Sequence, residues 1–331
     1  MLLHLFALLT AAATAVLIFA GGLVTSTGSG LSVPDWPNSY GWFMFTFPLE
    51  NWVGGIFYEH SHRLIASTVG FLILVLAFWL WRAEPRRWVR RLGFIALGAV
   101  ITQGVLGGIT VLWYLPDAIS IAHASLAEIV FCLTTTIALV TSPGWRARYA
   151  RRGPVPDDRR LQHVALATLA TVYLQIVVGA TMRHTDAGLA IPDFPWMFGH
   201  LVPDHWDPKI AIHFAHRAGA LCVTAMLLIT TGQVFARYRN RLELLRPSIL
   251  LLGLVTLQIT LGAFTVLSRK EYIINSLHVV TGASVLVTTL ILTLRAHRAR
   301  FADVLGPAGL AADTRLTAGP DHSGAAAGAR A

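Results

Sequence analysis

Long apolar runs separated by short polar segments occupy most of the chain. Leu2 to Val24 is apolar throughout, and further runs lie at about 61–81, 92–113, 119–141, 162–183, 210–236, 247–267 and 273–294. Each is close to the roughly 20 residues that an α-helix needs to cross the hydrocarbon of a bilayer. The pattern therefore predicts eight transmembrane helices. The first run has no Lys or Arg before it and is longer than the core of a secretory signal, so it reads as a retained helix.

The polar segments orient these helices. Of the 26 Lys and Arg residues, 20 fall within 82–91, 146–160, 237–246 and 295–330, whereas the long loops at about 25–58 and 184–209 hold only Lys209. Basic loops stay in the cytoplasm, which places both termini inside and both long loops on the outer face. The outer loops are aromatic: Trp36, Trp42, Phe43, Phe45, Phe47, Trp52 and Phe57 in the first, Phe194, Trp196, Phe198 and Trp206 in the second. Such side chains favour the headgroup level, so these loops are expected against the membrane surface or over a pocket there. The basic segment from Arg146, with Gly153-Pro154-Val155-Pro156, reads as a cytoplasmic linker, and the Ala/Gly-rich tail as disordered.

Composition agrees. The 331 residues are 55% hydrophobic and 13% charged, about half the charge of a soluble domain, and the mean hydropathy is +0.60. The net charge of +9 is loop charge of the membrane-orienting kind, not a nucleic-acid patch. Cys132 and Cys222 both fall in apolar spans with no metal or disulfide spacing, and read as small buried hydrophobes.

The chain repeats itself. Residues 27–37, from Thr27-Gly28-Ser29-Gly30 to Pro34-Asp35-Trp36-Pro37, match 185–195, from Thr185-Asp186-Ala187-Gly188 to Pro192-Asp193-Phe194-Pro195. Gln103–Val111 matches Gln258–Val266, and His123 matches His278. Matches in the same order mark a duplicated four-helix unit. An even number of spans repeats in the same orientation, with a pseudo-twofold along the membrane normal. The expected domains are residues 1–145, a linker at 146–161, a second unit at 162–296 and a tail at 297–331. The Gly-rich stretch Thr27–Gly30 is no phosphate cradle, because the strand, helix and Lys of that motif are missing. Small residues at Gly104, Gly107, Gly108, Gly262 and Ala263 read as helix-packing positions.

The chemistry lies where the even-numbered helices begin. Glu59-His60-Ser61-His62-Arg63 opens the second span, with Glu59 and His62 on one face of its first turn, and His213-Phe214-Ala215-His216-Arg217 opens the sixth. Together with His123 and His278, four histidines lie at matching depths, two per repeat. A lone membrane histidine is most simply a hydrogen-bonded packing residue, but ionisable groups in hydrocarbon are costly and usually functional. Paired imidazoles inside a four-helix unit are the axial ligand set of a low-spin heme. No carboxylate or thiolate stands beside those of the C-terminal half to complete a zinc site. Arg63 and Arg217 follow the first histidine of each pair; they either snorkel to the headgroups or pair with heme propionates. His60 reads as an interfacial side chain, His184, His200 and His205 as loop residues. Glu128 reads as a buried hydrogen-bonded acid or a member of a proton path.

The E-x-x-H-R at Glu59–Arg63, the H-x-x-H-R at His213–Arg217, the G-L-x-V-P-D-W-P loop at Gly30–Pro37 and the single histidines 123 and 278 resemble the heme A synthase family over about residues 10–295. The resemblance implies an all-α integral membrane protein, two tandem four-helix bundles, in a bacterial plasma membrane with its heme sites toward the outer face. It also implies oxidation of the C8 methyl of heme O to a formyl group, giving heme A for cytochrome oxidase. By the same resemblance His216 and His278, with Arg217, hold a heme b; His62, His123 and Arg63 serve the substrate heme; and Glu59 is the catalytic residue. Heme O synthase as donor, cytochrome oxidase assembly as recipient, an electron-transfer partner and a homo-oligomer are the associations it brings. Many bacterial members carry a cysteine pair in the first outer loop, whereas residues 25–58 contain none, so no thiol step through such a pair operates here.

Two other classes use similar features. A di-heme electron carrier of the cytochrome b type needs the same four histidines, and a transporter can be built from parallel repeats. The electron carrier has no need to break the symmetry between Glu59 and His213; the enzyme does.

Overall fold

The computed structural model describes residues 1–145 and 158–298. Eight long helices carry the described chain: α1 (Leu2–Ser26), α2 (Gly55–Ala83), α3 (Arg87–Leu112), α4 (Asp117–Thr141), α5 (Arg159–His184), α6 (Pro208–Arg237), α7 (Leu242–Leu267) and α8 (Tyr272–Ala296). All eight are long and apolar enough to cross a membrane, so the chain is a multi-pass membrane protein. The expected linker at 146–161 lies outside the described residues up to position 157, and the expected tail lies outside them from 299 on.

The helices run past the apolar stretches that mark them, and three of them, α5, α6 and α8, begin at polar caps beyond the apolar runs. The Asp207 carboxylate accepts from the N–H groups of Lys209 and Ile210 ahead of Pro208, Asp158 accepts from Arg160 and Leu161, and Glu271 accepts from Ile274. At α2 the start moves out to Gly55, so Glu59 and His62 do not sit in its first turn as the hydropathy pattern predicts; they lie in the second and third. That removes Glu59 from the region where the helix dipole acts most strongly.

Within the first unit α1 packs on α2, α2 on α3, α3 on α4 and α4 back on α1; α5 to α8 close a ring in the same order. The units meet through α1 on α8, α4 on α5 and α4 on α8. These are the contacts that a twofold axis beside α4 and α8 generates. Half or more of the apolar stretch is buried in α4 (50%) and α8 (56%), against at most 28% in the others, so these two helices form the centre. Elsewhere large side chains such as Phe71, Leu174 and Leu221 face outward, as lipid allows. Across the seam Arg183 of α5 donates to the Gly22 carbonyl and the Ser26 hydroxyl of α1, both at 2.8 Å, and Ser26 meets Ser276 of α8 at 3.1 Å. Residues 27–54 and 185–207 form the two long loops at one end of the bundle.

Candidate functional site

Each long loop folds back over its unit around an arginine, buried in the first half (Arg63) and half-buried in the second (Arg217). Asp35 accepts the N–H groups of Tyr40 (2.7 Å) and Gly41 (2.8 Å), and Asp193 those of Phe198 and Gly199 (both 2.9 Å). Tyr40 and Phe198 both have positive φ, and so do Gly41 and Gly199, so the turn has the same shape in both halves. Partial burial works against the charge of Asp35, but the N–H groups of Gly41 and Tyr40 and the nearby Arg63 hold its carboxyl below the usual range. Asp193 is held low in the same way by Gly199, Phe198 and Arg217.

Arg63 donates to the carbonyls of Asp35 (2.6 Å), Asn38 (2.9 Å) and Val33 (2.7 Å) and to Glu59 (2.6 Å). Arg217 donates to the carbonyls of Trp196, Ile191 and Asp193, and its Nε stands 3.2 Å from His213 Nε2. Both guanidinium groups are thus committed mainly to loop backbone. Neither snorkels, and the propionate pairing weighed from sequence would compete with these bonds. Glu59 and His213 occupy equivalent places in the latch. Glu59 Oε2 accepts the Val33 N–H at 2.8 Å, and His213 Nδ1 accepts the equivalent Ile191 N–H at 3.2 Å. The one difference is a carboxyl group in the first half and an imidazole in the second.

His60 is not interfacial. It is fully buried under the first loop, 3.0 Å from Ser39 Oγ and packed against Trp52 and Phe47, because the loop closes over the start of α2. His184 ends helix α5 rather than sitting in the loop, and His205 is exposed beside Asp204. Glu128 is buried, with Oε2 free of hydrogen-bond partners.

The four single histidines share one setting. Methyl groups placed on Gly21, Gly107, Gly179 and Gly262 would stand 3.1, 3.1, 2.9 and 3.0 Å from Cε1 of His62, His123, His216 and His278. Each imidazole of an even-numbered helix therefore brings its Cε1 corner against a glycine of the helix before it. These glycines are more than packing positions: any side chain there would push the ring out of place. In the closed rings α2 stands across from α4, and α6 across from α8, so each unit brings its histidines in from opposite corners. The ring centroids of His216 and His278 are 6.4 Å apart. Two metal–nitrogen bonds of about 2 Å, with the half-widths of two imidazoles, fill that distance, so the pair fits an axially ligated heme iron. Among the described residues no cluster of three or more His, Cys, Asp or Glu stands ready for a bare metal ion.

A family model for cytochrome oxidase assembly proteins, COX15-CtaA, matches residues 4–291. The chain belongs to that family. Heme A synthase of Halalkalibacterium halodurans is 29% identical over 290 residues, 87% of this chain and 94% of the relative. That of Lysinibacillus sphaericus is 28% identical over 82% of this chain and 88% of the relative, and that of Shouchella clausii 30% identical over 67% and 72%.

In this member of the COX15-CtaA family the halves differ at a few places besides Glu59 and His213. Trp36 lies over Gly108 so closely that a Cβ there would come within 2.6 Å of the ring. The second half has Phe194 and Ala263 at those positions, a smaller ring with a larger partner. Leu115 covers Gly30 in the first half; Lys270 covers Gly188 in the second. The Gln-x-x-x-Gly pattern at 103–107 and 258–262, visible in the repeat, recurs at 175–179. That third copy is the signal by which the glycines behind the histidines could have been found.

Proposed function

We propose that this protein is a heme A synthase, a membrane oxidoreductase that converts the C8 methyl of heme O to the formyl of heme A for cytochrome oxidase. The carrying observation is family membership together with two equivalent histidine frames of which only one has a carboxylate, Glu59, beside it. In this reading His216 and His278 hold a heme b in the C-terminal unit, and it supplies one-electron redox chemistry. His62 and His123 bind the substrate heme in the N-terminal unit. Arg63 and Arg217 serve the two heme sites by pinning the loops over them and keeping water out, with the loops on the outer face of a bacterial plasma membrane and both termini inside. Heme O synthase as supplier, an electron-transfer partner and a homo-oligomer remain part of the proposal.

Glu59 lies one helical turn before His62, so its carboxylate can take up protons released as the methyl carbon is oxidised. The competing role is the latch, in which Glu59 only holds Val33 and Arg63. Two substitutions separate them. Glu59→Gln keeps an acceptor for Val33, and Glu59→His copies the His213 arrangement, so both keep the latch and remove the anion. Hemes extracted from cells that also express heme O synthase are expected to show heme O accumulating and heme A lost in both variants, with heme b retained. Normal heme A levels in either variant would leave Glu59 with the latch alone.

A further inference from the structure

The two units meet through equivalent pairs of helices, α1 on α8 and α4 on α5, yet the two contacts are made of different side chains. Where α1 meets α8, Ala15 and Ile18 pack with Ala283 and Val287 in one apolar cluster. By the repeat offsets, the residues equivalent to Ala15, Val280, Ala283 and Val287 are Tyr173 on α5 and Ser125, Glu128 and Cys132 on α4. Four apolar residues at one contact are thus matched by two hydroxyls, a carboxyl and a thiol at the other. The fold does not require them, because the apolar set closes the equivalent contact. An ionisable group in hydrocarbon that packing does not require points to function.

Ser125, Glu128 and Cys132 follow one another at i, i+3 and i+7 along one face of α4. Tyr173 reaches that face from α5, with its hydroxyl 3.5 Å from the Ser125 carbonyl. Glu128 is 4% exposed, and its Oε2 and the Ser125 Oγ are both buried with no hydrogen-bond partner. Tyr173 and Cys132 are the titratable groups that feel its charge; among the described residues α1, α3 and α8, also packed on α4, bring no charged group that acts on it. A buried charge without a partner is costly, so an isolated carboxyl there keeps its proton. The site is also equipped for the anion, because the Ser125 and Tyr173 hydroxyls are donors at hand once the proton leaves. What draws the proton off is a positive charge within reach. Tyr173 and Cys132 pack against the apolar cluster of the C-terminal unit. Two residues along α5 from Tyr173, Gln175 turns to the opposite face, where its amide nitrogen stands 3.0 Å from His216 Nδ1. One helix therefore separates Glu128 from the His216 frame, a distance on the order of 10 Å.

We propose that Glu128 is a redox-linked proton site for the heme b of the C-terminal unit, taking up one proton for each electron the iron gains and releasing it when the electron leaves. The inference rests on His216 and His278 holding that heme. The electron comes from a one-electron donor and the proton from water, so the charge added to the unit by one is offset by the other. Across about 10 Å at an effective dielectric constant of about 20, two such charges shift each other's equilibrium by roughly tenfold. The equivalent position beside the N-terminal unit is Ala283, so the device serves one frame alone. That asymmetry suits a retained heme that passes electrons repeatedly inside a low-dielectric bundle, where an uncompensated charge is costly.

The test uses the full chain purified with its heme b, produced without heme O synthase. Its midpoint potential is titrated with dithionite and ferricyanide across about pH 5–10. The anion left at high pH favours the oxidised iron, so the potential is expected to fall with rising pH. It should fall by about 59 mV more in wild type than in Glu128→Gln, the one-electron equivalent of a tenfold coupling. The reduced-minus-oxidised infrared difference spectrum is expected to show a carboxyl band that the variant lacks. A packing role alone would move neither readout. Should Glu128→Gln fail to accumulate, Glu128→Ala copies Ala283 of the other contact and carries both measurements. Equal pH dependence in wild type and variant, or a carboxyl band that survives the substitution unchanged, overturns the proposal. A His216→Ala chain that keeps its low-spin spectrum would instead overturn the heme b assignment itself, so the two failures are told apart.

Discussion

At the scale of single residues, the ligand-candidate histidines stand out in the sequence because an ionisable group in hydrocarbon is conspicuous, and duplication showed which of the thirteen histidines recur. The surroundings of each were not legible. That Arg63 turns its guanidinium onto the carbonyls of Val33, Asp35 and Asn38 depends on how the loop folds back, and His60 is buried for the same reason. No pattern along the chain records either. The loop turns also carry the clearest pH dependence. Asp35 and Asp193 both have lowered carboxyl pKa values, so their contribution is complete above the ordinary aspartate value of about 3.9 and is lost as pH falls through the lowered folded values. Fluorescence of the loop tryptophans during acid titration is therefore expected to stay flat down to about pH 4 and change below it. A transition near neutral pH would contradict this account of the latch.

At the scale of elements, hydropathy located all eight helices and misplaced several ends; at α5 and α6 the reason is a polar cap that lies outside the apolar run. From sequence the small residues of α3 read as generic helix contacts. Their rotation in the bundle gives them separate duties: Gly107 supports His123 and Gly108 receives Trp36. A helix wheel alone does not reveal this, since it depends on which neighbour each face meets. Gly108→Ala is expected to displace the first loop, at a cost of about 1–3 kcal/mol for overpacking. Adding Trp36→Phe, which recreates the Phe194 and Ala263 pair of the second half, should recover most of that loss. Thermal melts of the single and double variants in detergent measure the coupling. Strictly additive losses would show that the two positions do not compensate for each other.

At the scale of the whole molecule, duplication does most of the explaining. Two rings of the same helix order each carry a histidine pair, with α4 and α8 at the centre and both long loops at one end. The repeat offsets of 154 to 158 residues made this readable from the sequence, whereas the seam held by Arg183, Ser26 and Ser276 was not, because nothing in either half alone marks it. In the proposed topology the arginine-rich segments lie inside and the loop end outside. Reporter fusions at Pro154 and Pro203 are expected to lie on opposite sides of the membrane, with Pro154 inside; a periplasmic signal at Pro154 would reverse the topology. The central claim is that equivalent frames do unequal work, one retaining heme b and one converting heme O. It is tested most directly by extracting the hemes from the purified chain, produced with and without a co-expressed heme O synthase. The account predicts heme b alone without the synthase, and heme b with heme A when it is present. Heme b alone in both preparations, filling both sites, would make the protein an electron carrier and contradict it.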